Sequence, residues 1–226
     1  MCIRNRIIAL IYRVIAFCLG AITLVYDFGL FNGIFKISNL LYFTIISNLF
    51  CVGLFLALII RTADDIKNDG ICGSSSISPH FKGGVLMCIL LTMSVYHFVL
   101  IPYALKLNPY QSLKMADVIF HYVMPFFTLF DWILFDEKGK FKWYDPIVWT
   151  VFPYFYAIFI FVQSKFDIVG RINSHMNRYI YAFLDVRLLG VRDVAINIFC
   201  LTVAFVLVGY FIYGVDRIQL ESKELS

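Results

Sequence analysis

Thr44 and His121 are the residue pair in this chain best suited to do chemistry together. A hydroxyl becomes a useful nucleophile when a base takes its proton, and histidine is the usual base. Both residues sit in runs that are otherwise apolar, LLYFTIISNLF (40–50) and FHYVMPFFTLFDWILF (120–135). Asp117 lies one helical turn before His121, where its carboxylate would fix the imidazole tautomer. Asn48 lies one turn after Thr44 and, like a backbone amide, would donate to a developing oxyanion. Ser47 and His97 are the remaining supporting candidates. Such a set fits acyl transfer from an ester to Thr44, with His121 as base and then as acid. A plainer role competes with it. A Ser or Thr hydroxyl in a membrane helix usually bonds the carbonyl four residues back, or a neighbouring helix.

The surroundings of these residues are those of a membrane protein. The chain has 226 residues, of which 61% are hydrophobic, 18% aromatic and 15% charged. Its mean hydropathy is +0.82. Soluble domains are about 45–50% apolar and about 25% charged. A core of this size cannot hide such a surplus, so lipid must be the solvent for much of the surface. A soluble enzyme, a nucleic-acid-binding module and a secreted disulfide scaffold are excluded. The net charge of +4 is spread along the chain. The six cysteines show no metal-ligand or disulfide spacing, and no cofactor or metal is called for.

A spanning helix needs about 20 mostly apolar residues. Six runs qualify: Ile7–Leu30, Leu40–Ile60, Gly83–Leu105, Ala116–Phe135, Pro146–Ser164 and Val194–Tyr213. The sequence therefore predicts an all-α, six-helix transmembrane protein forming one domain over 1–226. The first run carries Arg13 and is too long for a signal sequence, so it reads as an uncleaved span. The 61–82 connection is polar, Gly/Ser-rich and expected to be mobile.

Ionisable groups inside a span cost about 2.5–3.5 kcal/mol each, so each is a candidate for function. They are Arg13 and Asp27 in span 1, His97 in span 3, and Asp117, His121 and Asp131 in span 4; Thr44, Ser47, Asn48 and Thr128 add neutral polar groups. One side of the membrane would carry ten Lys/Arg in its loops and termini and the other eight. That bias predicts both termini in the cytoplasm. Thr44 and His121 then lie roughly 6–8 Å below the outer ends of their spans. His97 and Asp27 fall in the same half of the bilayer. Thr44, Ser47 and Asn48 form one polar stripe, and Asp117, His121 and Thr128 another. Arg13 is expected to snorkel to the inner interface. Asp131 would simply hydrogen-bond at the inner end of span 4. Trp132, Trp143 and Trp149 read as interfacial anchors.

Two other functions fit the polar residues. His97 and His121 could be axial ligands of a haem in an electron carrier. Alternatively the stripes would line a pathway in a small transporter, or serve an interaction partner without turnover. Paired helix breaks in two repeated halves, the usual sign of a transporter, are absent from the sequence.

The segments around Thr44 and His121 resemble the two signature helices of the androgen-induced-gene and androgen-dependent TFPI-regulating protein family. Thr44 falls on the threonine of its short "YFT" motif. His121 falls on its histidine, with Pro125 as the proline that follows. DPIVWTVFPYFYAIF (145–159) and RYIYAFLDVRLLG (178–190) are similar to the prokaryotic six-pass branch of that family. The resemblance covers nearly the whole chain. It implies a six-pass intramembrane threonine hydrolase that cleaves long-chain acyl esters, such as fatty acid esters of hydroxy fatty acids. The partners implied are membrane lipids or lipid-like esters, in a bacterial plasma membrane, with no nucleic acid. On this reading the fifth loop, with Arg178, Tyr179, Tyr181, Phe183, Asp185, Arg187 and Asp193, would lie among the headgroups and gate lipid access.

Overall fold

The computed structural model describes residues 3–33, 35–107, 110, 112–166 and 179–224. Six helices in it are long and apolar enough to cross a membrane: α1 Arg6–Asp27, α2 Phe43–Asp69, α3 Pro79–Lys106, α4 Met115–Phe135, α5 Asp145–Phe166 and α6 Val186–Ile218. The described residues form no strand, and the chain is an all-α, multi-pass integral membrane protein. Large apolar side chains such as Ile22, Phe98, Phe155, Phe199 and Phe211 cover the outside.

The helix ends depart from the apolar runs for local reasons. Tyr42 is extended (φ −84°, ψ 132°), so α2 starts at Phe43 and not at Leu40. At its other end α2 continues past the apolar run to Asp69, where Arg61 pairs with Asp65 one turn on. The 61–82 segment is therefore largely helical, and only residues 70–78 connect α2 to α3. That connection is held in place. The Arg6 guanidinium donates to Gly70 O (2.7 Å) and Ser75 Oγ (3.2 Å), and the Arg6 amide donates to Ile71 O (2.9 Å). Helix α6 begins at Val186, inside the expected fifth loop, and is broken by Gly190 at φ 80°. Only glycine takes that conformation without strain.

Two packed clusters run through the bundle. Ala16, Cys51, Leu54, Phe55, Val85, Ile89 and Met124 join α1, α2, α3 and α4. Leu86, Leu90, Trp132, Trp149, Phe205 and Ile212 join α3, α4, α5 and α6. Trp132 and Trp149 are thus core residues, 3% and 5% exposed, and do not sit at the interface as their sequence positions suggested; Trp143 alone of the three is exposed. Helices α3 and α5 approach closely because Gly83 has no side chain. A Cβ there would lie 2.3 Å from the Trp149 ring.

At the end of the bundle that holds the N-terminus, four charges are buried together. Arg13 Nε binds Asp131 Oδ1 at 2.8 Å, and Arg13 Nη1 donates to Thr62 Oγ1 at 2.6 Å. Lys82 Nζ binds Asp131 Oδ2, and reaches Asp136 Oδ1 at 2.7 Å. Arg13, Thr62 and Asp131 are 0% exposed. Arg13 therefore does not snorkel. Its guanidinium points inward, because two carboxylates in the bundle satisfy it better than a lipid interface would. Asp131 is likewise more than a helix-end acceptor. It bridges the two cations.

Breaking a buried pair leaves an uncompensated charge and costs about 3–5 kcal/mol. Asp131→Asn is expected to lower the thermal unfolding midpoint in detergent by several degrees or to prevent folding. The charge-balanced Arg13→Met/Asp131→Leu pair should be less destabilised than Asp131→Asn. Thermal melts of both variants measure this. Equal melting of Asp131→Asn and wild type would remove the cluster's structural role.

Candidate active site

Thr44 is the second residue of α2. Every other described threonine donates its hydroxyl to a carbonyl three or four residues back. Thr23, Thr62, Thr92, Thr128 and Thr202 use the fourth residue back, and Thr150 the third. Thr44 has no helical carbonyl four residues back, because the chain is extended at Tyr42. Its hydroxyl is released from local bonding and meets His121: Thr44 Oγ1 lies 3.2 Å from His121 Nε2.

His121 sits at the centre of a π turn, Ile119–Val123, inside α4. Such turns carry one extra residue and occur often at functional sites. The ring's Nδ1 lies 2.8 Å from the Asp117 carbonyl oxygen. A carbonyl only accepts, so Nδ1 carries the hydrogen and, in the neutral ring, Nε2 presents a lone pair. The Thr44 hydroxyl therefore donates to Nε2, the orientation a general base requires. Tyr96 stacks on the imidazole with centroids 3.6 Å apart and planes 10° apart. An aromatic face there favours the imidazolium that forms when the ring takes a proton.

The supporting residues fall elsewhere than the sequence suggested. The Asp117 carboxylate does not orient the imidazole. It accepts from the Lys114 amide (3.3 Å) at the start of α4, and the backbone carbonyl of Asp117 does the orienting. Asn48 is not an oxyanion donor. Its Nδ2 donates to Thr44 O (2.8 Å) and Phe120 O (3.3 Å), which ties the start of α2 to the π turn. Ser47 Oγ lies 3.0 Å from Thr44 O and 2.8 Å from Thr92 Oγ1. Both residues brace the backbone of Thr44 and leave its hydroxyl alone. Asp27 accepts from Asn39 at 2.7 Å and shares no bond with the pair. Thr128 faces Cys51 between α2 and α4.

His97 also lies in a π turn, Tyr96–Leu100, but its ring is exposed and its Nδ1 meets Tyr122 Oη at 3.0 Å. Both ring nitrogens of His121 are engaged, with Thr44 and with Asp117. The two histidines therefore do not form an axial pair.

Thr44 is also part of the wall of an apolar cleft of about 790 Å³, counted with its open mouth. Its other walls come from Leu91 and Val95 of α3, Pro153 and Ala157 of α5, Leu184, and Leu201 of α6. A second groove between α3 and α6 shares Leu91, Val95, Leu201 and Phe205 with it, so the two lie side by side. Ligand pockets are mostly apolar, with a few placed polar groups.

The start of α2 supplies further polarity to this cleft. The first amides of a helix lack intrahelical acceptors and carry the positive end of its dipole. The Phe43 amide donates to Tyr156 Oη at 3.2 Å, and Tyr156 Oη donates to Leu41 O at 2.7 Å. Tyr181 reaches the same place. It lines the same cleft as Thr44, with its ring 6.3 Å from Tyr156 and 6.4 Å from Tyr42. Tyr181 is 8% exposed and lies inside the bundle, not among headgroups as the fifth-loop reading had it. Arg178 of that loop lies outside the described residues. Tyr96, Tyr156 and Tyr181 were not on the sequence-derived site. Their only sequence signal is an aromatic in an apolar context, which this chain repeats throughout.

Comparison of the chain with family models, curated proteins and solved structures finds no match.

Proposed function

We propose that this protein is an intramembrane hydrolase of long-chain acyl esters, with Thr44 as nucleophile and His121 as base. The observation that carries the reading is the Thr44 hydroxyl, freed from its own helix and donating to a histidine whose tautomer is set by a carbonyl. Thr44 Oγ1 attacks the acyl carbonyl as its proton passes to His121 Nε2. The tetrahedral intermediate expels the alcohol, which takes that proton from His121. Water then attacks the acyl-threonine and gives one proton to His121, and the acid leaves as Thr44 regains its proton. The apolar cleft beside Thr44 suits an acyl chain, and the adjoining groove between α3 and α6 suits access from within the bilayer. The reading agrees with the resemblance to the intramembrane threonine hydrolases, and makes membrane lipids or lipid-like esters the partners.

We further propose that both termini are cytoplasmic, in a bacterial plasma membrane. The ten-to-eight distribution of Lys and Arg supports this orientation. It puts the buried charge cluster on the cytoplasmic side and Thr44 in the outer half of the membrane.

The test of the chemistry is covalent labelling by a fluorophosphonate probe in membranes. Wild type is expected to label, and Thr44→Ala and His121→Ala to lose labelling at equal expression. Removal of a general base typically costs about 10²–10⁴-fold in rate. Thr44→Ser should retain measurable labelling. Absence of labelling in folded wild-type protein would refute the hydrolase and leave the cleft as a binding or transport site. Orientation is checked with a membrane-impermeant thiol reagent on a variant keeping Cys72 alone, which is exposed in the 70–78 connection. Labelling only after permeabilisation is expected, and labelling of intact cells would invert the topology.

A further inference from the structure

A second cavity, which Thr44 does not line, opens at the end of the bundle that holds the N-terminus. It measures about 610 Å³, counted with its open mouth. Its polar side chains are Ser74 and Ser76 of the 70–78 connection, Asp136, Glu137 and Lys140 of the connection between α4 and α5, and Asp216 of α6. Trp132 and Phe141 form its apolar side, stacked with ring centroids 5.7 Å apart. Two of the three carboxylates have cationic partners. Asp136 binds Lys82 at 2.7 Å, and Glu137 binds Lys140 at 3.4 Å and accepts from Ser74 Oγ at 3.3 Å. The Lys138 ammonium is held by the Trp132 and Asp136 carbonyls, over the Trp132 ring. Asp216 differs. It is 0% exposed, its Oδ2 accepts from the Phe141 amide at 3.0 Å, and its Oδ1 has no hydrogen-bond partner.

A buried acceptor without a partner has given up its bonds to water and gained none in return. Native proteins leave few such groups, and each calls for a reason. Protonation of Asp216 is not one, since it exchanges an unpartnered acceptor for an unpartnered donor. A donor seated in the cavity is. We propose that this cavity binds a primary ammonium group, with Asp216 Oδ1 as its acceptor. A hydrogen bond with charged partners is roughly twice as strong as a neutral one, which favours an ammonium over a hydroxyl. A metal ion fits less well, because among the described residues no three His, Cys, Asp or Glu side chains gather as ligands. The lone pairs of Ser74 and Ser76 accept further N–H bonds, and Trp132 and Phe141 cover the carbon next to the nitrogen. Two sources offer such a group: a free amine, and the headgroup of an aminophospholipid, whose phosphate would meet Lys140, 52% exposed along its side chain. The cavity borders the buried charge cluster through Asp136, and Asp216 ties α6 to it through Phe141, so occupancy registers in the stability of the bundle. The proposal does not rest on the hydrolase reading.

The experiment uses the purified full chain in an amine-free buffer and two matched pairs of probes. Ethanolamine and choline, added to protein in detergent, differ only in the methyl groups that replace the N–H donors. Nanodiscs of phosphatidylethanolamine and of phosphatidylcholine carry the same difference in a headgroup. The thermal unfolding midpoint is read for both pairs, and calorimetric titration gives the Kd of the free amines. Wild type is expected to respond to the unmethylated member of at least one pair, saturably, and more than to its methylated partner. A response to ethanolamine assigns the site to a free amine, and a response confined to phosphatidylethanolamine assigns it to a lipid headgroup. Asp216→Asn keeps an oxygen for the Phe141 amide and turns a donor towards the ligand. It is expected to weaken the response about tenfold or more, and to melt no lower than wild type without the probe. If Asp216→Asn does not fold, the comparison within each pair on wild type decides the matter. Equal responses to the two members of both pairs overturn the proposal and leave Asp216 facing water. A full response in folded Asp216→Asn overturns it as well. No ester enters these measurements, so their outcome is independent of the hydrolase.

Discussion

The buried charges Arg13, Lys82, Asp131 and Asp136 are the constraint on which the rest of the bundle depends. Lipid tails are as apolar as leucine, so burying a leucine between two helices gains little over leaving it in the bilayer. Close packing and polar contacts must choose helix neighbours instead. The cluster takes Arg13 from α1, Thr62 from α2, Lys82 from α3, and Asp131 and Asp136 from α4 and its end. Two cations and two carboxylates balance, so the group is neutral as a whole. No member can leave without stranding another in a dry interior. That all-or-none property fixes which four helices are adjacent and how each is rotated.

The candidate site sits where the helices are least regular. The extended Tyr42, the π turn at His121 and the π turn at Tyr96 all lie around it. Irregular backbone at membrane depth is tolerated only where protein surrounds it. Here Tyr156 and Asn48 provide those partners for the backbone at 41–44 and at Phe120. Regular helices and the charge cluster supply rigidity at one end, and the irregular turns supply exposed donors at the other.

This division explains what could be read from the sequence. The six spans were legible because each needs a long apolar run, and all six lie where those runs lie. Their ends were not, since Asp69 and Val186 extend helices into polar residues that bond locally. Thr44 and His121 were legible because a hydroxyl and an imidazole at matched depth stand out in apolar sequence. The Asp117 carboxylate misled because one turn's spacing fits its side chain and its carbonyl equally well. Asn48 misled for a similar reason, since the two carbonyls that claim its amide belong to backbone conformations no residue type announces. Arg13 looked like a snorkelling residue because its partners, Thr62 and Asp131, come from two other helices far away in the sequence. Tyr181 was hidden by its place in a loop, and only the folding back of that segment carries it to Thr44.

A hydroxyl inside a membrane must be bonded to something, and the carbonyl one turn back is normally its nearest acceptor. To free a threonine for chemistry the helix has to begin just before it. Beginning a helix inside the membrane leaves its first amides unpaired, which lipid cannot satisfy. Those amides then need a hydroxyl partner from another part of the protein, and the hydroxyl brought in to meet the first of them, from Tyr156, arrives on the same cleft as the threonine. The extended geometry at Tyr42 thus creates the free hydroxyl, the positive helix end and the demand for nearby acceptors in one step. The histidine, like Tyr156, must come from elsewhere. It arrives on α4, a helix whose position against α2 is set by Arg13 bridging Thr62 and Asp131.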